Sequence, residues 1–186
     1  MNSIDKNFDS QMVLADLPVS RTKSIAIPAI LIAIGAVLRM FSPNIFGITP
    51  NFVIAMYCLS IILLRPNLRS TIGIGIVAGA VCMMFSKSPI PALNLITEPV
   101  GAIACYLVVK YLPSISIRKF TLKPIVATLI GTLCSGTLYV FLNFNFAMQL
   151  PFAAMQAAFI AVVIPVSIIN AILAQVLYVP SQRFMK

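Results

Sequence analysis

Residues 154–179 read AMQAAFIAVVIPVSIINAILAQVLYV, twenty-six positions without a charged side chain. About 20 apolar residues suffice to cross the hydrocarbon core of a bilayer as a helix. This run exceeds that length and has room to tilt. Five more apolar runs precede it, at 24–41, 50–64, 70–86, 98–112 and 124–143. The second and third fall short of a full crossing, which predicts a depression on one face of the bundle.

Composition demands the same solvent. The chain of 186 residues is 60% hydrophobic and 9% charged, with a mean hydropathy of +1.03. A soluble domain carries about 25% charged residues, so this chain has too few to cover a water-facing surface. The expected fold is an all-α integral membrane protein of six transmembrane helices with both termini cytoplasmic. Residues 24–186 form the membrane domain, and 1–23, with Asp5, Lys6, Asp9, Asp16, Arg21 and Lys23, form a polar cytoplasmic tail. No short apolar segment ends in a cleavage site of the secretory type, so no removable signal peptide is expected.

Charge tests this topology. With the N-terminus inside, Lys6, Arg21, Lys23, Arg65, Arg69, Lys110, Arg118, Lys119, Lys123, Arg183 and Lys186 fall on the inner side, and Arg39 and Lys87 on the outer. Such asymmetry is what membrane orientation by positive charge requires, and a five-span reading would spoil it. The net charge of +9 therefore reads as orientation in the bilayer, and no nucleic-acid partner is implied. Loop chemistry agrees. Ser42-Pro43-Asn44, Thr49-Pro50-Asn51, Arg65-Pro66-Asn67 and Lys87-Ser88-Pro89-Ile90-Pro91 punctuate the runs. Thr97 is the expected N-cap of the fourth span, with Pro99 in its first turn. Pro165 is expected to kink the sixth or to free a carbonyl there.

Polar side chains are scarce enough to be informative. Arg39, Asn51, Lys87, Asn94, Glu98, Asn143, Asn145, Gln149 and Gln156 gather near the outer span ends, and Glu98 is the sole acid after Asp16. Charge inside a membrane is costly and is seldom kept without a partner. One reading makes Glu98 a carboxylate at a helix N-terminus and Arg39 and Lys87 snorkelling cations. The other has Arg39, Asn51, Lys87, Asn94 and Glu98 line an outward pocket for a small-molecule solute, with a carboxylate and two cations suited to a zwitterion. Phe41, Phe46, Phe52, Phe85, Phe141, Phe144, Phe146 and Phe152 lie on the same side, as pocket walls or as an interfacial belt. Small residues recur at Ala29/Ala33, Gly75/Gly79 and Gly131/Ser135, spacings that let helix backbones approach. The latter two steps read as internal packing, and Ala29/Ala33 as a face able to dock on a partner's helices.

Catalysis finds little support. The chain has no histidine, its four cysteines (Cys58, Cys82, Cys105, Cys134) all lie in apolar runs, and Lys87 between Ser86 and Ser88 is a weak dyad. A binder or transporter is expected, with no cofactor and no metal.

Six short spans, cytoplasmic ends and an alanine face on the first span resemble the substrate-binding (S) components of energy-coupling-factor (ECF) transporters. Several stretches, in order over about 25–175, are similar to the bacterial tryptophan transport protein family, TrpP. They are Ala33-Ile34-Gly35-Ala36-Val37-Leu38, Gly47-Ile48-Thr49-Pro50-Asn51, Ile90-Pro91-Ala92-Leu93-Asn94 followed by Glu98, Gly131-Thr132-Leu133-Cys134-Ser135-Gly136-Thr137, and Ala161-Val162-Val163-Ile164-Pro165 with Asn170. The resemblance implies uptake of a small amino acid or vitamin-like solute, tryptophan by the usual assignment, across the bacterial cell membrane. It also implies partners: a membrane coupling protein and two cytoplasmic ATPases, since this chain has no GxxxxGK[ST] loop of its own. A non-transporting scaffold of envelope assembly like MreD, and a solitary ion-coupled carrier, are the alternative classes.

Overall fold

A computed structural model describes residues 20–46, 48–113, 116–117 and 120–185. Most of the polar tail lies outside the described residues. Helix α1 spans Arg21–Met40, α2 Val53–Leu64, α3 Leu68–Phe85, α4 Asn94–Tyr111, α5 Lys123–Leu142, α6 Phe152–Ala158 and α7 Ile164–Met185. Two-residue strands, Ser116–Ile117 and Phe120–Thr121, pair antiparallel in the turn between α4 and α5. A π-helical stretch, Phe159–Val163, joins α6 to α7, so the pair forms one long apolar rod, Phe152–Gln182. Among the described residues, five helices are long and apolar enough to cross a membrane, and α2 is a shorter apolar helix. The chain is an all-α, multi-pass membrane protein.

Local chemistry explains the boundaries. Ser20 caps α1 by accepting from the Lys23 N–H at 3.3 Å. Asn67 caps α3 by accepting from the Ser70 N–H at 2.8 Å. Helix α2 ends at Leu64, capped by Arg65 in the left-handed region at φ 45°, and Pro66 beyond the cap cannot continue the helix. Thr97 is not the N-cap of α4. A 3-10 turn at Pro91–Leu93 begins the coil one turn earlier, so Thr97 and Glu98 lie inside the helix. At Pro165 the last span continues through a widened turn. The Ile164 N–H bonds the Phe159 carbonyl five residues back, and this widened turn lies where the proline ring would clash and where its missing N–H would be felt.

Glycines set the packing. A Cβ on Gly35 would lie 2.7 Å from the Val53 Cα, one on Gly75 2.6 Å from the Pro99 Cα, and one on Gly79 2.6 Å from the Asn94 carbonyl oxygen. Helices α1 and α2, and α3 and α4, therefore touch backbone to backbone, the close approach that packs helices where lipid supplies no hydrophobic drive. Gly101 and Gly131 do the same between α4 and α5. Both glycine registers of α4, with α3 and with α5, run antiparallel.

Helix α2 is the axle of the bundle. Its residues Val53 to Ile62 are all buried, and it packs against α1, α3, α4, α5 and α7. Twelve residues make about 18 Å of helix, well short of a hydrocarbon core of about 30 Å. Helix α3, expected to be short, has 18 residues and qualifies as a crossing. The missing length is thus concentrated at the start of α2, where residues 48–52 run down into the bundle in its place.

Candidate functional site

The space above α2 is a pocket of about 430 Å³, part of it open to solvent. Of that space about 40 Å³ is cavity proper, smaller than the usual range of small-molecule sites, so a bulky solute must widen it on entry. It sits at the end of the bundle opposite Ser20 and Met185, among the last turn of α1, residues 48–51, the first turns of α4, the second half of α5 and the start of α7.

Its polar side is built on Glu98, which is 2% exposed. The Asn51 Nδ2 donates to Glu98 Oε1 at 2.6 Å. The Tyr57 and Ser135 hydroxyls donate to Oε2, each at 3.2 Å. Three segments of the chain thus meet on one carboxylate, the sharing that an acid buried in a membrane bundle requires. Gly101 makes room for it, since a Cβ there would lie 2.5 Å from the Tyr57 hydroxyl oxygen. Asn51 is itself fixed on every side. Its Oδ1 accepts from the Val53 N–H at 3.1 Å and from the Cys82 thiol at 3.4 Å. Its carbonyl accepts from the Asn170 Nδ2 at 2.9 Å, which also reaches the Thr132 hydroxyl at 3.3 Å.

One turn before Glu98, Asn94 holds Arg39. The Arg39 Nη2 donates to Asn94 Oδ1 at 3.2 Å, and the Asn94 Nδ2 donates to the Pro91 carbonyl at 2.6 Å. Arg39 is 1% exposed, so it does not snorkel. Ile48, Ile54, Val162, Val163 and Val166 give the opposing apolar wall, and Tyr139 closes one side.

Four of the five candidate binding residues, Arg39, Asn51, Asn94 and Glu98, line this pocket. Lys87 does not. Its ammonium donates to the Met40 and Ser42 carbonyls at 3.2 and 2.9 Å, closing the C-terminal end of α1. The phenylalanines do not wall the pocket either. Phe41, Phe46, Phe141, Phe146 and Phe152 are exposed, and Phe144, though buried in the same cluster as the wall residues Ile48, Val162, Val163 and Val166, does not itself line the pocket. Asn143 bonds Met148, and Asn145 bonds Phe141 and Met155; neither lines the pocket. Tyr57, Tyr139 and Thr132 join the site without having stood out in the sequence. Thr132, Ser135 and Tyr139 share one face of α5 at helical spacing, and a buried tyrosine hydroxyl needs a partner. Those are the signals that could have found them.

Ala29 and Ala33 are exposed on α1. Cys58, Cys82, Cys105 and Cys134 are free thiols, and among the described residues no three His, Cys, Asp or Glu side chains cluster as a metal site would require.

A family model described as "Tryptophan transporter TrpP" matches residues 21–186. A probable tryptophan transport protein of Clostridium acetobutylicum is 32% identical over 171 residues, covering 88% of this chain and 94% of the relative. One of Bacillus subtilis is 30% identical over 168 residues, covering 89% and 94%. One of Clostridium perfringens is 31% identical over 169 residues, covering 86% and 91%. No solved structure matches.

Proposed function

The chain belongs to the tryptophan transporter TrpP family, and from that premise we propose that the pocket above α2 is where it takes up tryptophan. The observation that carries this reading is the pairing of Arg39 and Glu98 in one pocket with an apolar wall. An amino acid with a large ring needs both halves: charge for its head group, and a dry face for its side chain. Helix α2 forms the floor, and the Glu98 network holds that floor rigid.

For energy coupling, we propose the role of an ECF-type S component. The chain would bind the solute, and a membrane coupling protein with two cytoplasmic ATPases would drive its release inward. Two features support this. The sequence has no P-loop to hydrolyse ATP, and the Ala29/Ala33 step is exposed on α1, where a partner's helices can approach closely. A solitary ion-coupled carrier would transport without those partners, and an envelope scaffold would bind no solute saturably.

The test is thermal unfolding of the purified, detergent-solubilised protein against a panel of amino acids and vitamins. A ligand of the native state stabilises by RT ln(1 + [L]/Kd), about 2.7 kcal/mol at a hundredfold excess over Kd. Tryptophan is expected to raise the melting temperature in a saturable way. A folded protein stabilised by no member of the panel would refute the reading.

A further inference from the structure

We infer that Arg39 is the anchor for the solute's carboxylate, so that the pocket selects its ligand by an anionic head group. The inference rests on the pocket being the binding site and specifies the chemistry of that site.

The two charged groups of the pocket are unequally satisfied. The Glu98 carboxylate already accepts three hydrogen bonds, from Asn51, Tyr57 and Ser135. The guanidinium of Arg39 offers five N–H donors, and its one hydrogen bond goes from Nη2 to Asn94. Its Nε and Nη1 are buried and have no partner. A buried donor left without an acceptor is destabilising, and more so when it carries charge. The protein's own side chains therefore satisfy its buried anion and leave its buried cation short of acceptors.

What is missing is an acceptor with negative charge, and the planar guanidinium fork matches a carboxylate best. The place is prepared for one. Asn94 fixes the guanidinium against α4 and is itself fixed by the Pro91 carbonyl, so Arg39 is oriented before any ligand arrives. Among the residues lining the pocket, Arg39 is the one cation and Glu98 the one anion. Asn94 and Glu98 lie four positions apart on α4, on the same face and about one turn distant. A carboxylate on Arg39 would therefore leave the rest of an α-amino acid beside Glu98 and facing the valine wall. Asn51 and Ile54, at the start of α2, line the same space, so the positive end of that helix adds to the preference for an anion.

The experiment is isothermal titration of the full-length protein in detergent with four compounds sharing one ring. They are L-tryptophan, L-tryptophan amide, tryptamine and indole-3-propionate. The amide and tryptamine lack the carboxylate, and indole-3-propionate lacks the amine. The wild type is expected to bind the amide and tryptamine about 100-fold more weakly than tryptophan or worse, since each leaves the buried cation unpaired. Indole-3-propionate should bind more tightly than tryptamine. Arg39→Lys keeps the charge without the fork and should retain the preference for acid over amide at about tenfold weaker affinity. Arg39→Gln should bind tryptophan and its amide alike. Thermal melts of both variants establish that they are folded, and the wild-type comparison stands without them. Equal binding of tryptophan and its amide to the wild type would overturn this inference and leave the proposed function standing. So would an undiminished acid preference in folded Arg39→Gln. Failure of the folded wild type to bind tryptophan would overturn the proposed function and this inference with it.

Discussion

Asn51 and Glu98 stand 47 residues apart in the chain and meet through a hydrogen bond of 2.6 Å in the bundle interior. Asn51 belongs to the stretch that descends to α2, and Glu98 to the second turn of α4. Their contact ties the pocket floor to its wall, and the other bonds of Asn51 carry the tie to α3 and α7 through Cys82 and Asn170.

Asn51→Ala should therefore cost more than the loss of one hydrogen bond. It leaves Glu98 Oε1 and the Val53 N–H unpaired, at about 1–3 kcal/mol for each buried polar group and more for a charged one. Tyr57→Phe removes one of the two donors to Oε2 and leaves Ser135 in place, so about 1 kcal/mol is expected. Thermal melts in one detergent should rank wild type, Tyr57→Phe and Asn51→Ala in falling order. Equal melting temperatures would show that the network contributes nothing to the fold.

Part of the pocket is legible in the sequence because polar residues stand out in an apolar chain. Arg39, Asn51, Asn94 and Glu98 are conspicuous for that reason alone. Hydroxyls are not. Serine, threonine and tyrosine sit easily in membrane helices, where serine and threonine can bond their own backbone, so the tertiary roles of Tyr57, Ser135 and Thr132 leave no mark. Position along the chain also says nothing of rotation about a helix axis. The outer-end phenylalanines are near the pocket by number, yet most point away. Tyr139 enters because it follows Thr132 and Ser135 around the same face of α5. Apolar length locates the five crossing helices and the shorter α2 within a few residues, and Thr49-Pro50-Asn51 marks where α2 begins late. The earlier start of α4 is hidden because the 3-10 turn at Pro91–Leu93 carries outer-loop residues into the coil.

Lys87 gives a prediction opposed to its place in the sequence. Its ammonium closes the end of α1 on the Met40 and Ser42 carbonyls and does not line the pocket. Lys87→Gln should lower stability by the modest value of a cation at a helix C-terminus, about 0.3–1 kcal/mol, with the tryptophan dissociation constant unchanged. A large loss of affinity at unchanged stability would return Lys87 to the site.

Gly79 and Gly73 should respond oppositely to the same methyl group. An alanine Cβ at Gly79 meets the Asn94 carbonyl oxygen at 2.6 Å, whereas at Gly73 nothing lies within 4 Å. Gly79→Ala must push α3 off α4 at the residue that holds Arg39, so about 1–3 kcal/mol of overpacking is expected together with weakened binding. Gly73→Ala should be neutral or gain at most about 0.5–1 kcal/mol from helix propensity. The two melts, recorded side by side, separate close packing from a general intolerance of substitution.

Docking through α1 makes the last prediction, and it turns on separating binding from uptake. Ala29 and Ala33 face outward, away from the pocket and away from the Gly35 contact with α2. Ala29→Phe or Ala33→Phe can therefore enlarge that face without displacing a neighbouring helix. If the face receives a coupling partner, either change should hold the partner's helices at a distance, because close approach is what small residues provide in lipid. Cells should then lose uptake of labelled tryptophan, while the purified variants bind it as the wild type does. Loss of both would point to misfolding, which the melts would reveal. Uptake that survives both substitutions would favour a carrier acting without a docked partner.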